Sequence, residues 1–231
     1  TAATLTVTPN DGTIDGTADT VTINITAVND APTASGVPTD VTVTEDTISD
    51  FDLSAVTIAD VDGDNLTVTI VVSAGTFATP VDGSGVGSGV TATLVNGTTI
   101  TLAGSAADIN TYLDTTSNIR YTGASNVSGD NAATFTINAN DGTTNPQIGS
   151  GNIDITATND APTVTGVPTD VTVTEDTASD FDLSAVSFAD IDGDSLTVTI
   201  AASAGTFAAT SSGSVTVGGS GTGTLTLTGT A

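Results

Sequence analysis

Apolar residues recur at every second position in six short runs: 41–44 (VTVT), 66–72 (LTVTIVV), 90–95 (VTATLV), 99–103 (TITLA), 133–139 (ATFTINA) and 152–158 (NIDITAT). A period of two sends successive side chains to opposite faces of an extended chain, so Thr set between Val, Ile and Leu predicts strands with one buried and one wet face. Gly, Pro, Asn or Asp bound each run and supply turns. This pattern predicts an all-β fold, an antiparallel Greek-key β-sandwich. One stretch breaks the alternation. In SAADINTYLDT (105–115), Ser105 is placed to cap a short helix carrying Ile109, Tyr112 and Leu113 on one side, bridging the sheets. The run DGSGVGSG (82–89) reads as a flexible hairpin loop, and NIRYTG (118–123) as a strand whose aromatic closes the core.

The pattern also repeats. Residues 29–78 and 159–208 agree at 41 of 50 positions, an offset of 130, and the same offset relates AATLTVTPNDG (2–12) to AATFTINANDG (132–142). Residues 1–28 therefore read as the end of one repeat, 29–158 as a whole repeat of about 130 residues, and 159–231 as the start of a third. GTLTLTGTA (223–231) aligns with TTITLAGSA (98–106), so the third copy is five residues shorter in its Gly/Ser loop. No counterpart of 107–130 follows it.

Charge narrows the function. The chain of 231 residues has 27 acids against Arg120 alone, a net charge of −26, with no Lys, His or Cys. Phosphate recognition needs a basic patch, so nucleic acid is not expected as a partner, nor is an anionic membrane surface. Disulfides and Lys–Asn isopeptide bonds have no residues to form them, and a Ser nucleophile has neither His nor Lys as base. No apolar run approaches the roughly 18 residues of a membrane span. The mean hydropathy of +0.21 and the alternating apolar runs separate this chain from disordered acidic tails.

Within a repeat the acids gather at four places: Asn29-Asp30, Glu45-Asp46, the cluster Asp60, Asp62 and Asp64 in DVDGD, and Asn140-Asp141-Gly142. DVDGD returns as DIDGD with Asp190, Asp192 and Asp194. Carboxylate and amide oxygens without nitrogen or sulfur ligands suit Ca2+, which takes about six to eight of them. An EF-hand does not fit, because Gly63 is fourth and Val71 twelfth counting from Asp60. If the stretch is extended, Asp60 and Asp62 share one side, and ligands from elsewhere must close the site.

Taken in order, NDAPT, EDT, DxDGD, LTVTI and NDG resemble the bacterial cadherin-like and VCBS-type tandem repeats of giant secreted (RTX-type) surface adhesins. The resemblance covers the whole chain. It implies cadherin- or Ig-like sandwiches in a linear array, with Ca2+ held between neighbours. By position it implies one ligand set of Asp11, Asn29, Asp30, Glu45, Asp60 and Asp62, and a second of Asp141, Asn159, Asp160, Glu175, Asp190 and Asp192. Asp64 and Asp194 complete the two clusters. The linker is shorter than the cadherin form and lacks its acidic-basic-acidic motif, so the number of ions is not implied.

The function expected is a calcium-stiffened structural spacer of an extracellular adhesin or surface fibre, not an enzyme. Its partners would be neighbouring repeats, other copies of itself, and cell-surface or matrix glycans. Two alternatives differ in kind. Residues 1–28 resemble the final strands that 159–231 lacks, so head-to-tail strand addition would give a filament. A carbohydrate-binding module would use Tyr112, Arg120 and Tyr121 as a platform, although core tyrosines are the stronger reading.

Overall fold

Each alternating run becomes a strand in the computed structural model of the chain, which describes residues 2–81 and 89–230. Residues 82–88, most of the expected flexible loop, lie outside them. First comes a hairpin of β1 (Ala2–Val7) and β2 (Asp19–Asn24), antiparallel from Ala2 opposite Asn24 to Val7 opposite Asp19. It is a two-stranded sheet of its own, exposed on both faces.

The main body follows with β3 (Thr33–Ser35), β4 (Asp40–Thr44), β5 (Ser49–Asp50), β6 (Thr57–Ala59), β7 (Asn65–Val72) and β8 (Thr76–Phe77). Beyond them lie β9 (Thr91–Asn96), β10 (Thr99–Ser105), the helix α1 (Ala106–Leu113), β11 (Arg120–Thr122), β12 (Gly129–Asn140) and β13 (Gln147–Thr156). Six strands form one sheet in the order β4-β13-β12-β7-β10-β9. Its inward residues include Val41 and Val43, Leu66, Val68, Ile70 and Val72, Ile100 and Leu102, Phe135 and Ile137, and Ile153 and Ile155. They share one core with Phe51, Leu53, Val56, Ile58, Phe77 and Tyr121 from the loops, the β5-β11-β8 sheet and the β3-β6 pair. Full burial of one such side chain stabilises by about 1.5–3 kcal/mol, so this core is the principal source of stability. Phe51 sits at its centre, edge-on to Phe77 at 5.5 Å and to Phe135 at 5.4 Å. The chain is an all-β sandwich, as its periodicity predicts.

The helix forms where the sequence places it. Ser105 Oγ accepts from the Asp108 amide at 3.2 Å and donates to the Asp108 carboxylate at 2.7 Å, while Ile109, Tyr112 and Leu113 face the core. Asn110 does what no pattern indicated: its amide accepts from Ile58 N at 2.8 Å and donates to Ile58 O at 2.9 Å, acting as a strand neighbour for β6.

One expectation needs correction. The strands are not all antiparallel, because β4 pairs parallel with β13 from Asp40 opposite Asn152 to Thr44 opposite Thr156. The chain first pairs β3 with β6 in the second layer, then crosses at Gly36 to the six-stranded sheet. It thus enters beside a strand more than 100 residues later rather than returning by a tight hairpin. Gly36 has φ +68°, and a Cβ there would overlap the Ala55 carbonyl.

The third copy holds β14 (Thr163–Thr165), β15 (Ser187–Ala189), β16 (Ser195–Ala201), β17 (Thr216–Gly218) and β18 (Thr224–Thr230). Ser195 pairs with Thr230 where Asn65 pairs with Ser105, preserving register across the shortened loop. Phe181 meets Phe207 edge-on at 5.5 Å, as Phe51 meets Phe77. Yet residues 170–177 (DVTVTEDT) are identical to 40–47 and contain no strand. Val171 and Val173 are exposed where Val41 and Val43 are buried. The difference lies in the partner: β4 is bonded along β13, whereas 170–177 pairs with no described strand.

Candidate cation site between the repeats

DVDGD is a closed loop. Asp60 Oδ1 accepts from the backbone amides of Asp62 and Gly63 at 3.0 Å each and of Asp64 at 3.3 Å. Gly63 closes the turn at φ +77°, a conformation that costs glycine little. The stretch is therefore not extended, and an alternating-strand argument does not place Asp60 beside Asp62. The loop instead turns Asp62 back onto the linker, where its Oδ2 accepts from Asp30 N at 2.7 Å. Asp190 holds Asp192 N at 3.0 Å and Asp194 N at 3.3 Å in the same way, and Asp192 Oδ2 accepts from Asp160 N at 2.6 Å. In both copies the linker amide is bound to the middle acid of the cluster.

Glu45 completes the second of these arrangements. Parallel pairing carries β4 to the end of the body where β13 leaves it, so Glu45 N donates to Thr156 O at 2.9 Å and Glu45 Oε2 accepts from Thr158 N at 3.3 Å. Glu45 is buried, and it, Asp160 and Asp192 each offer a carboxylate oxygen within 4.8 Å of the others. Asp160 Oδ2 is buried with no hydrogen-bond donor, as is Asp60 Oδ2 in the first copy. Burial, then the charges of Asp192, Asp46 and Asp190, push the Asp160 carboxyl above the ordinary carboxylate value. Asp46, in the left-handed region at φ +52°, and Asp190 are thus a fourth and a fifth acid acting on this place.

Of the remaining expected residues, Asn159 and Asp190 stay with Asp160, whereas Glu45, Asp141, Asp11 and Glu175 part from the neighbours expected of them. Glu45 does not stand with Asp30 and Asp62 but faces Asp160 and Asp192. Asp141 does not stand with Asp160; it accepts from Asn29 Nδ2 at 3.0 Å, Thr144 N at 2.6 Å, Thr143 N at 2.7 Å and Thr144 Oγ1 at 2.9 Å. The Thr144 amide first, then Asn29, hold its carboxyl well below the ordinary value. Those donors already satisfy its charge. Asp11 accepts from the Thr13 and Ile14 amides at 2.9 Å each, in the turn of the β1–β2 hairpin. That turn is at the opposite end from Asn24, which leads toward Asn29. Glu175 follows the unpaired 171–174 stretch and is exposed, and Asn159 Nδ2 donates to Asp160 O at 3.0 Å. The sequence names the residue types but not which end of the sandwich each occupies; the parallel pairing of β4 with β13 decides that for Glu45, and the antiparallel pairing of β12 with β7 decides it for Asp141.

The tyrosines considered for a glycan platform are core residues, the stronger of the two readings. Tyr112 and Tyr121 are 0% exposed, with their hydroxyls donating to Val81 O at 2.7 Å and Ala74 O at 2.9 Å. Arg120 Nε pairs with Asp50 Oδ1 at 3.3 Å.

What the junction offers chemically is three convergent carboxylates, one of whose oxygens is buried without a donor. Such a group is costly unless a cation completes it. The donors are all oxygen, fitting a hard divalent ion such as Ca2+ better than zinc or copper.

A search of curated proteins finds none that matches. The sequence model of one family, described as bacterial Ig domain, matches residues 159–231. The stretch carrying Asp160 and Asp192 is therefore similar to a bacterial Ig domain, a family of structural rather than catalytic modules typical of surface proteins.

Proposed function

We propose that this chain is a structural spacer of an extracellular adhesin or surface fibre, with residues 29–158 as one sandwich unit joined to the next by Ca2+ at Glu45, Asp160 and Asp192. The observation that carries it is the buried, donorless Asp160 Oδ2 beside two further carboxylates from both sides of the junction. Without a cation these charges repel, and the linker between Thr158 and Asp160 is free to bend. With Ca2+ they share a ligand shell that ties the end of β4 to the 190–194 loop. Stiffness is then the function, and the bacterial Ig likeness of 159–231 agrees with a structural role.

Isothermal calorimetry and thermal melting of the chain, with Ca2+ and with excess chelator, test this. Ca2+ should bind and raise the melting temperature, since a ligand held only by the folded state stabilises it. Glu45→Gln with Asp192→Asn should weaken binding at least tenfold, while in chelator the same substitutions should leave the melt unchanged or raised, because they remove repulsion. Equal binding by the variant, or no binding by the parent chain, overturns the proposal.

A further inference from the structure

One glycine amide in the main body is free for chemistry where its equivalents are tied down. Asn96 and Gly97 are exposed at the turn from β9 to β10, where Asn96 stands opposite Thr99. Five described glycines follow an Asp, and each donates its amide. Gly12 donates to Asn10 Oδ1 at 2.6 Å, Gly63 to Asp60 Oδ1 at 3.0 Å and Gly142 to Asn140 Oδ1 at 2.6 Å, while Gly16 and Gly193 donate to Pro9 O at 2.7 Å and Asp190 O at 3.3 Å. Gly97, which follows an Asn, has no acceptor for its amide among the described residues.

The Asn96 side chain is folded over the same turn. Its Oδ1 accepts from Thr98 N at 2.9 Å and from Thr98 Oγ1 at 3.0 Å, an Asx turn with a second donor. Both donors sit on the atom that gains negative charge when a nitrogen attacks Cγ, which is how an oxyanion is stabilised. The nearest nitrogen is the next along the chain, so no second molecule has to be positioned. Gly97 brings no Cβ to crowd its approach.

We propose that Asn96 is a site of self-modification, converting to aspartate and isoaspartate through a succinimide with water as the only reactant. The Gly97 nitrogen gives its proton to hydroxide and bonds to Asn96 Cγ. The Cγ–Nδ2 bond then breaks, and ammonia leaves with a proton from water, which regenerates the hydroxide. Water next opens the ring. Cleavage between Cγ and the Gly97 nitrogen gives aspartate, whereas cleavage between the Asn96 backbone carbonyl carbon and that nitrogen gives isoaspartate, whose main chain runs through Cβ and Cγ. Nothing is oxidised or reduced. The turn is fastened to the core, since Gly97 O accepts from Phe77 N at 2.6 Å and Thr98 O from Val72 N at 3.0 Å. An extra main-chain atom displaces both bonds, so the isoaspartyl product loosens β7 and β8 at this turn and the chain carries a record of its age. This inference does not rest on the cation reading.

Ageing the 231-residue chain in mildly alkaline buffer, folded and in urea, and mapping its peptides by mass spectrometry tests this. Asn96 should exchange NH2 for OH ahead of every other asparagine and at least as fast folded as unfolded, while the five Asp-Gly pairs form isoaspartate only in urea. Thr98→Val should slow the folded reaction about threefold, less than loss of an enclosed oxyanion donor because the turn is open to water. Thr98→Ser, which keeps the hydroxyl, should restore the rate. The isoaspartyl form, separated by ion exchange, should melt below the aspartyl form. Another asparagine reacting first, Asn96 protected by folding, no slowing in Thr98→Val, or equal melting of the two products overturns the proposal.

Discussion

Asn110 stands to Ile58 as one strand stands to the next, accepting from its N–H at 2.8 Å and donating to its carbonyl at 2.9 Å. A single side chain thereby supports the free edge of β6 and ties the helix to the second layer. Asn110→Leu leaves both Ile58 groups without partners, and the expected cost is about 1–3 kcal/mol. Urea unfolding followed by circular dichroism measures it. A cost under a few tenths of a kcal/mol would mean that water replaces the amide.

The two identical DVTVTEDT segments make a controlled comparison within one molecule. Val43→Ala removes buried methyl groups beside β13 and is expected to cost about 2 kcal/mol in the main unfolding transition. Val173→Ala makes the same change at a residue 57% exposed, and the expected effect stays within about 0.5 kcal/mol. Melting of the two variants side by side decides whether the surroundings, rather than the segment, set the energetics.

Asp141 sets a direction for acid stability. Its folded carboxyl lies below the ordinary value because amide and hydroxyl donors hold the charged form. A lowered folded value means stability that is complete above the ordinary aspartate range near about 3.9 and is lost as pH falls from there toward the folded value. Asp141→Asn should flatten this part of the profile. Unfolding in chelator between about pH 5 and 2, followed by circular dichroism, reads the slope, and an unchanged slope would assign it to other acids.

Much of this molecule was legible in its periodicity. β7, β10 and the capped helix stand where alternation and Ser105 place them, because their signals are local: a two-residue period, or a hydroxyl three residues before an amide. β3, β5, β6 and β8 were missed, being two or three residues long and defined by partners rather than by pattern. The junction was half legible. The residue types there can be read from the sequence, but the neighbours of Glu45 and Asp141 cannot, because Glu45 is placed by β4 running parallel to a strand more than 100 residues away and Asp141 by β12 running antiparallel to β7. Segment 171–174 shows the same dependence in reverse, since strong alternation there yields no strand without a neighbour.

Parallel pairing of β4 with β13 also fixes how the sandwich resists force. Tension entering through Asn29 and leaving through Thr158 first loads the three-residue β3–β6 pair and, once that parts, pulls β4 by its first residue and β13 by its last, in opposite directions along their common axis. The hydrogen bonds from Asp40–Asn152 to Thr44–Thr156 are then loaded together in shear, whereas an antiparallel pair pulled from adjacent ends would unzip one bond at a time. A repeat joined in this way yields only when the whole ladder slips, which gives a mechanical clamp to a chain that has no cysteine with which to make one.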